Sequence, residues 1–394
     1  MLSIIVYIIT AFLMYYPIKR LLYAPISGNT TEYYKRSKQV LLFSMLTFAT
    51  MAGMRFHTGV DHLSYLQDYL YAGRGISWND NMEPLYVFIT KIMAKAGFHY
   101  IFYFGLLAFV QVFFVYKSAE NRVYLIPYFA LLLVLGPYFM DFANGIRQNI
   151  VCCVLLFAAS KFIVGNKYLI YILCVLLCTT MHSSALILLP FVLLSLYIPV
   201  FGNKWVNLTI VMACVILGNS QFWIGGLEYI SKVLTFMNFE KYSHDLEIYM
   251  EGDMGREVSF GPLRMSALLL NITIIWFYKP MRSYYNNDKY LDLSFFLFFL
   301  GVCMYNLFTN AGLLFMRVAM YFTIFTLPMT AYLLHYLRNN TKHSVYVIIL
   351  LLAMTYSSMN ALKYSMISNR TYVEEANLYK FFFMHDESEV KPLM

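Results

Sequence analysis

The stretch Arg55-Phe56-His57-Thr58-Gly59-Val60-Asp61-His62-Leu63-Ser64-Tyr65 gathers a guanidinium, two imidazoles, a carboxylate and a phenol directly after the apolar run at 40–54. Arginine is permanently charged and pairs bidentately with phosphate oxygens. A carboxylate or imidazole beside a bound phosphate takes the proton of an attacking hydroxyl. The same residue types recur downstream. Asp141, Arg147 and Gln148 flank the breaks Gly136-Pro137 and Asn144-Gly145, and His182 precedes Ser183 and Ser184. Arg256, Glu257 and Arg264 edge a long polar stretch, and Arg317 stands a turn into an apolar segment, four residues before Tyr321. The chemistry these residues suit is anion binding with proton transfer.

Membrane helices must position them. The chain has 394 residues, 60% hydrophobic and 13% charged, against roughly 25% charged in a soluble domain. A bilayer span takes about 20 mostly apolar residues. Apolar segments centre on 2–17, 39–54, 99–116, 123–140, 146–164, 168–181, 184–201, 206–224, 263–278, 291–308, 313–334 and 344–360. The fold expected is therefore an all-α polytopic integral membrane protein of about twelve transmembrane helices, with 1–394 as one membrane domain. The segment 2–17 lacks a basic leader and a small-residue cleavage site and is expected to stay as a helix. The stretch 84–97 is short and amphipathic, with Lys91 and Lys95 on one face, and reads as an interfacial helix within an outer loop at 55–98.

Charge sets the orientation. Lys19, Arg20, Lys35, Arg36 and Lys38 make the first connection basic, hence cytoplasmic. If 84–97 does not span, alternation puts Lys117/Arg122, Lys161/Lys167, Lys204, Lys279/Arg282/Lys289 and Arg338/Lys342 on that same side. The outer side then receives 55–83, the turn at 141–145, His182, a long loop at 225–262, the turn at 309–312 and both termini. Residues scattered along the chain thus fall at one depth, near the outer leaflet. The net charge of +8 is accounted for by cytoplasmic basic residues against anionic lipid, so no nucleic-acid partner is implied. No nucleotide-binding loop interrupts the spans. Cys152, Cys153, Cys174, Cys178, Cys214 and Cys303 lie in apolar runs and read as small buried hydrophobes, with neither disulfide nor zinc site expected.

A set of arginines at this depth suits a polyprenyl pyrophosphate headgroup, and a lipid-linked sugar supplies energy where there is no ATP. The run Arg55-x-x-x-Gly59-x-Asp61-x-x-x-Tyr65 resembles the signature of the EpsG-like, Wzy-type polysaccharide polymerases. So do Asn144-x-x-Arg147-Gln148 opening a helix, His182-Ser183-Ser184-Ala185, Arg317-x-x-x-Tyr321, and an aromatic tail at 379–383. Order and spacing agree over roughly 40–335. One position departs: Val60 stands where the family has Thr. The resemblance implies a fold related to the C-type glycosyltransferases. It also implies a metal-independent enzyme without cofactors in the bacterial inner membrane, its site facing outward. Its donor and acceptor would be undecaprenyl pyrophosphate-linked glycans, with a chain-length regulator as a possible partner beside the membrane lipids.

In those terms Asp61 and His182 are the candidate bases, Arg55, Arg147 and Arg317 bind pyrophosphate, and Gly59, Tyr65, Gln148 and Tyr321 support them. Each has a plainer alternative. Arg147 and Arg317 would otherwise be structural ion pairs, although neither has an evident partner within a turn. Arg55 would snorkel, and Asp61 would pair with it, which would weaken it as a base. His182 would be a capping or core imidazole, Tyr65 an interface anchor, and His57 and His62 are by default solvent-exposed loop residues. The acidic and aromatic loop at 225–262 is expected to cover the site and read the sugar. A lipid-linked oligosaccharide flippase is the main rival, but it would carry charge through mid-span positions, which are nearly clean here. An O-antigen ligase uses similar substrates. A membrane acyltransferase is disfavoured by the Arg-x-x-x-Gly-x-Asp pattern.

Overall fold

The computed structural model describes residues 2–22, 30–76, 82–189, 202–219, 261–310, 313–340, 345 and 378–384, without the side chains of 30–35, 262–263 and 313–315. All of the apolar segment at 344–360 but residue 345, most of that at 184–201 and nearly all of the loop at 225–262 lie outside the described residues. The described chain is helical, and some of its helices turn an apolar face outward. In α1 (Leu2–Leu22), Ala11, Met14 and Ile18 are buried while Ile5, Ile8, Ile9 and Phe12 are exposed. In α9 (Tyr168–Thr179), Leu169, Leu173 and Leu177 form an i, i+4, i+8 stripe exposed by 77%, 63% and 65%, opposite buried Tyr171, Val175 and Cys178. In water each such side chain forgoes about 1.5–3 kcal/mol of burial, whereas hydrocarbon imposes no such cost.

Five described helices are long and apolar enough to cross a membrane: Leu2–Leu22, Tyr100–Ser118, Ile146–Ile163, Lys289–Leu307 and Met316–Asn339. Val123–Leu135 and Tyr138–Asn144 form a pair bent by 66°, a sixth crossing if they are one broken span. The bend falls at Gly136-Pro137, where proline offers no backbone N–H to continue the ladder. The chain is a multi-pass helical membrane protein.

The chain divides into two compact units, 1–192 with 334–394, and 193–333. In the first, α2 (Thr30–Gly53) packs on α1 and on α5 (Tyr100–Ser118), α5 packs on α8 (Ile146–Ala158), and α1 on α6 (Ile126–Leu135). The α2–α5 crossing depends on small residues. A Cβ added at Gly53 would lie 2.5 Å from the Ile101 carbonyl oxygen, and one at Gly105 3.3 Å from that of Ala49. Close approach of this kind substitutes for hydrophobic drive between membrane helices. The stretch 55–98 holds two helices rather than one: α3 (His62–Arg74) packs on α4 (Pro84–Lys95). Lys117, with Lys161 farther along the chain, gathers on Glu120, at 2.8 and 3.7 Å. Two of the basic connections expected inside therefore meet.

In the second unit the helix Lys289–Leu307 is largely enclosed, and it packs on Lys204–Gly218 and Leu313–Thr323. Its buried Asp292 receives Arg282 Nε at 2.9 Å and the Tyr278 hydroxyl at 2.8 Å, which ties it to the helix Pro262–Tyr284. A buried carboxylate left without such partners would be costly. At the other end of Pro262–Tyr284, Arg264 donates to Asn219 Oδ1 at 3.1 Å and to Thr309 Oγ1 at 3.4 Å.

Candidate functional site

Beyond Gly53 the chain turns and pairs with a distant segment. Phe56 N–H donates to the Lys380 carbonyl at 2.8 Å, and Phe382 N–H to that of Met54 at 2.9 Å, framing an antiparallel bridge between Arg55 and Phe381. Thr58 Oγ1 donates to the Leu378 carbonyl at 3.0 Å and accepts from Lys380 N–H at 3.1 Å. Tyr379 N–H donates to Ser3 Oγ at 3.0 Å, and its hydroxyl to the Met51 carbonyl at 2.7 Å. The aromatic tail marked in the sequence is thus a strap over the first motif. Beneath it Arg55 is 2% exposed. Its Nη2 donates to the Ala143 carbonyl at 3.1 Å, and its guanidinium lies 5.3 Å over the Phe104 ring. Burial pushes its pKa down to about 10, with Tyr379, Tyr7 and Tyr65 opposing, and it stays charged at neutral pH.

Gly59 has φ +97°, a conformation that suits glycine, and a Cβ there would lie 2.8 Å from Asn144 Oδ1. That oxygen accepts Val60 N–H at 2.6 Å. The first motif therefore docks on the second through backbone, and valine supplies the N–H as well as threonine would. Asp61 is half-buried at the head of α3, its carbonyl accepting Tyr65 N–H at 3.1 Å. His62 corrects the sequence reading. It is fully enclosed, its ring 4.8 Å from that of Phe104 and its Nδ1 accepting His57 N–H at 3.3 Å. Aromatic contact makes it a core residue, while His57 is partly exposed.

Glu83, which the sequence reading passed over, joins the remaining motifs. Its Oε2 pairs with Arg147, whose guanidinium lies 5.1 Å over the Tyr86 ring and whose charge acts on the buried Tyr65 phenol. Its Oε1 meets His182 Nδ1 at 3.1 Å, Ser183 N–H at 3.1 Å and Ser183 Oγ at 3.4 Å. Local structure sets this up. Pro84 opens α4 and leaves Glu83 just outside it, and Leu85 N–H anchors that end on the Thr180 carbonyl at 2.9 Å. His182 is extended, φ −157°, before the 3₁₀ turn Ser183–Leu188, and Arg147 lies in the first turn of α8. Burial works to raise the Glu83 pKa, but the bonds from His182 and Ser183 and the charge of Arg147 hold it down at about 2. Arg147 thus has the ion-pair partner that local sequence does not show. The only advance signal for Glu83 is a carboxylate directly before the proline that heads an amphipathic segment.

Arg55, Gly59, Asp61, Tyr65, Arg147, Gln148 and His182 belong to the first unit, with Gln148 buried. Arg317, exposed, and Tyr321, buried, belong to the second. The Nε–H groups of Arg55 and Arg147 are buried without an acceptor among the described residues. Among the described residues no three His, Cys, Asp or Glu side chains gather to hold a metal, and the six cysteines are unbridged. The arrangement offers two cations, a carboxylate that bridges one of them to an imidazole, and a docked backbone turn. No curated protein and no solved structure matches the chain significantly. The model of the EpsG family matches residues 38–374 and takes in every motif just described except the tail and its strap. With that match over most of its length, the chain belongs to the EpsG family.

Proposed function

We propose that this protein polymerises undecaprenyl pyrophosphate-linked oligosaccharide repeat units at the outer face of a bacterial inner membrane, by metal-independent glycosyl transfer. Family membership supports a polysaccharide polymerase in general terms. The observation that carries the finer reading is the meeting of Arg147, Glu83, His182 and Tyr65 with the Gly59–Asn144 contact at one end of the first unit. All come from stretches that charge alternation puts outside. The twelve spans, the C-type glycosyltransferase likeness and a chain-length regulator as partner belong to the same proposal.

In the reaction, a hydroxyl of the acceptor sugar bonds to the donor's anomeric carbon. The bond from that carbon to pyrophosphate breaks, and its electron pair leaves with the lipid pyrophosphate. Arg147 neutralises the leaving charge, and Arg55 adds positive potential from beneath. The buried, acceptor-less Nε–H groups of both suit an incoming anion. His182 or Asp61 takes the hydroxyl proton, with Gly59, Tyr65 and Gln148 holding the frame. Arg317 and Tyr321 keep the roles their motif implies.

The test is a gel of surface polysaccharide from cells lacking the gene beside cells carrying Arg147→Ala. Loss of the long ladder with a single repeat unit still attached is expected. Loss of that unit too would favour a flippase or ligase, and an unchanged ladder would remove the reading. Polymerisation by purified protein is expected to survive EDTA, and strong inhibition would restore a metal.

A further inference from the structure

We propose that Glu83 is the positioning residue for the base of this reaction. Its carboxylate holds His182 with Nδ1 as donor and Nε2 as proton acceptor, and links that imidazole to Arg147. The inference rests on the polymerase reading and assigns the base within it to His182 rather than Asp61. Its ground is geometric. The Glu83 oxygens receive Arg147, Ser183 N–H and the Ser183 hydroxyl, all donors, so the carboxylate is an acceptor throughout. At 3.1 Å from Glu83 Oε1, His182 Nδ1 must then be the atom that carries hydrogen. The neutral ring is left with its lone pair on Nε2.

Glu83 itself is a poor base, since its two oxygens are already occupied. When the acceptor hydroxyl bonds to the anomeric carbon and the pyrophosphate leaves, the hydroxyl proton passes to His182 Nε2. The imidazolium so formed faces the Glu83 carboxylate. One side chain therefore sets the tautomer of the base and stabilises the imidazolium it becomes.

Detergent-solubilised full-length protein is assayed on lipid-linked repeat units extracted from cells lacking the gene. Glu83→Gln is expected to lower kcat about 10²-fold with KM little changed. In a His182→Ala background it should cause no further loss, because the two residues act as one. Glu83→Asp should recover part of the rate. If Glu83→Gln does not fold, Glu83→Asp carries the same test, with a smaller fall in kcat that again disappears on His182→Ala. Wild-type kcat in the Glu83 variants, or losses that multiply in the double variant, would overturn the assignment. If even the wild-type protein makes no polymer from these units, the functional reading fails. Polymer from wild type and Glu83→Gln alike defeats only the role of Glu83.

Discussion

Gly59 and Glu83 set the site by opposite means, one through the absence of a side chain and the other through a shared carboxylate. Gly59→Ala places a methyl 2.8 Å from Asn144 Oδ1 at φ +97°, which should cost about 1–3 kcal/mol. A lowered Tm and a shortened glycan ladder would register it. Glu83 ionises well below the ordinary carboxylate value. The stability from its pairing is therefore complete above pH 4.5 and is lost as pH falls through about 2. The Tm gap between wild type and Glu83→Gln should narrow as pH falls from 4.5 towards 2. A gap that widened over that range would contradict the pairing. The motif residues were legible because each lies close to a turn or helix end that its neighbours announce. Glu83 was not, since its partners Arg147 and His182 stand 64 and 99 residues away. Nor was the enclosure of His62, which depends on Phe104 from another helix.

The elements show a similar division. The break at Gly136-Pro137 and the start of α8 after Asn144-Gly145 follow from local backbone chemistry and fall where the sequence put them. Helix α3 did not announce itself, because a search for spans overlooks a short helix of mixed polarity. The crossing of α2 and α5 is set by Gly53 and Gly105, which a hydropathy pattern treats as neutral. Gly53→Leu would drive side-chain atoms into the Ile101 carbonyl, 2.5 Å from where its Cβ must sit. Overpacking of this kind costs about 1–3 kcal/mol, so a fall in Tm is expected, and an unchanged Tm would mean that the crossing is looser than described.

For the whole molecule, the testable property is sidedness. A cysteine at exposed Arg74 should react with an impermeant thiol reagent added outside intact cells, and one at exposed Lys279 should stay shielded. The reverse pattern would invert the topology. Apolar stripes and basic connections made the membrane class readable, whereas the division into two units emerges only from contacts. The strap over Arg55 has a consequence in time. Ser3, Met51, Thr58 and Arg55 leave the ribosome early, yet Tyr379 and Lys380 must be translated before that region is sealed. A nascent chain thus carries a guanidinium without its cover through most of its insertion. Maturation of the site becomes a late event, and chains that stall before the tail is made should remain unsealed however well their spans have inserted.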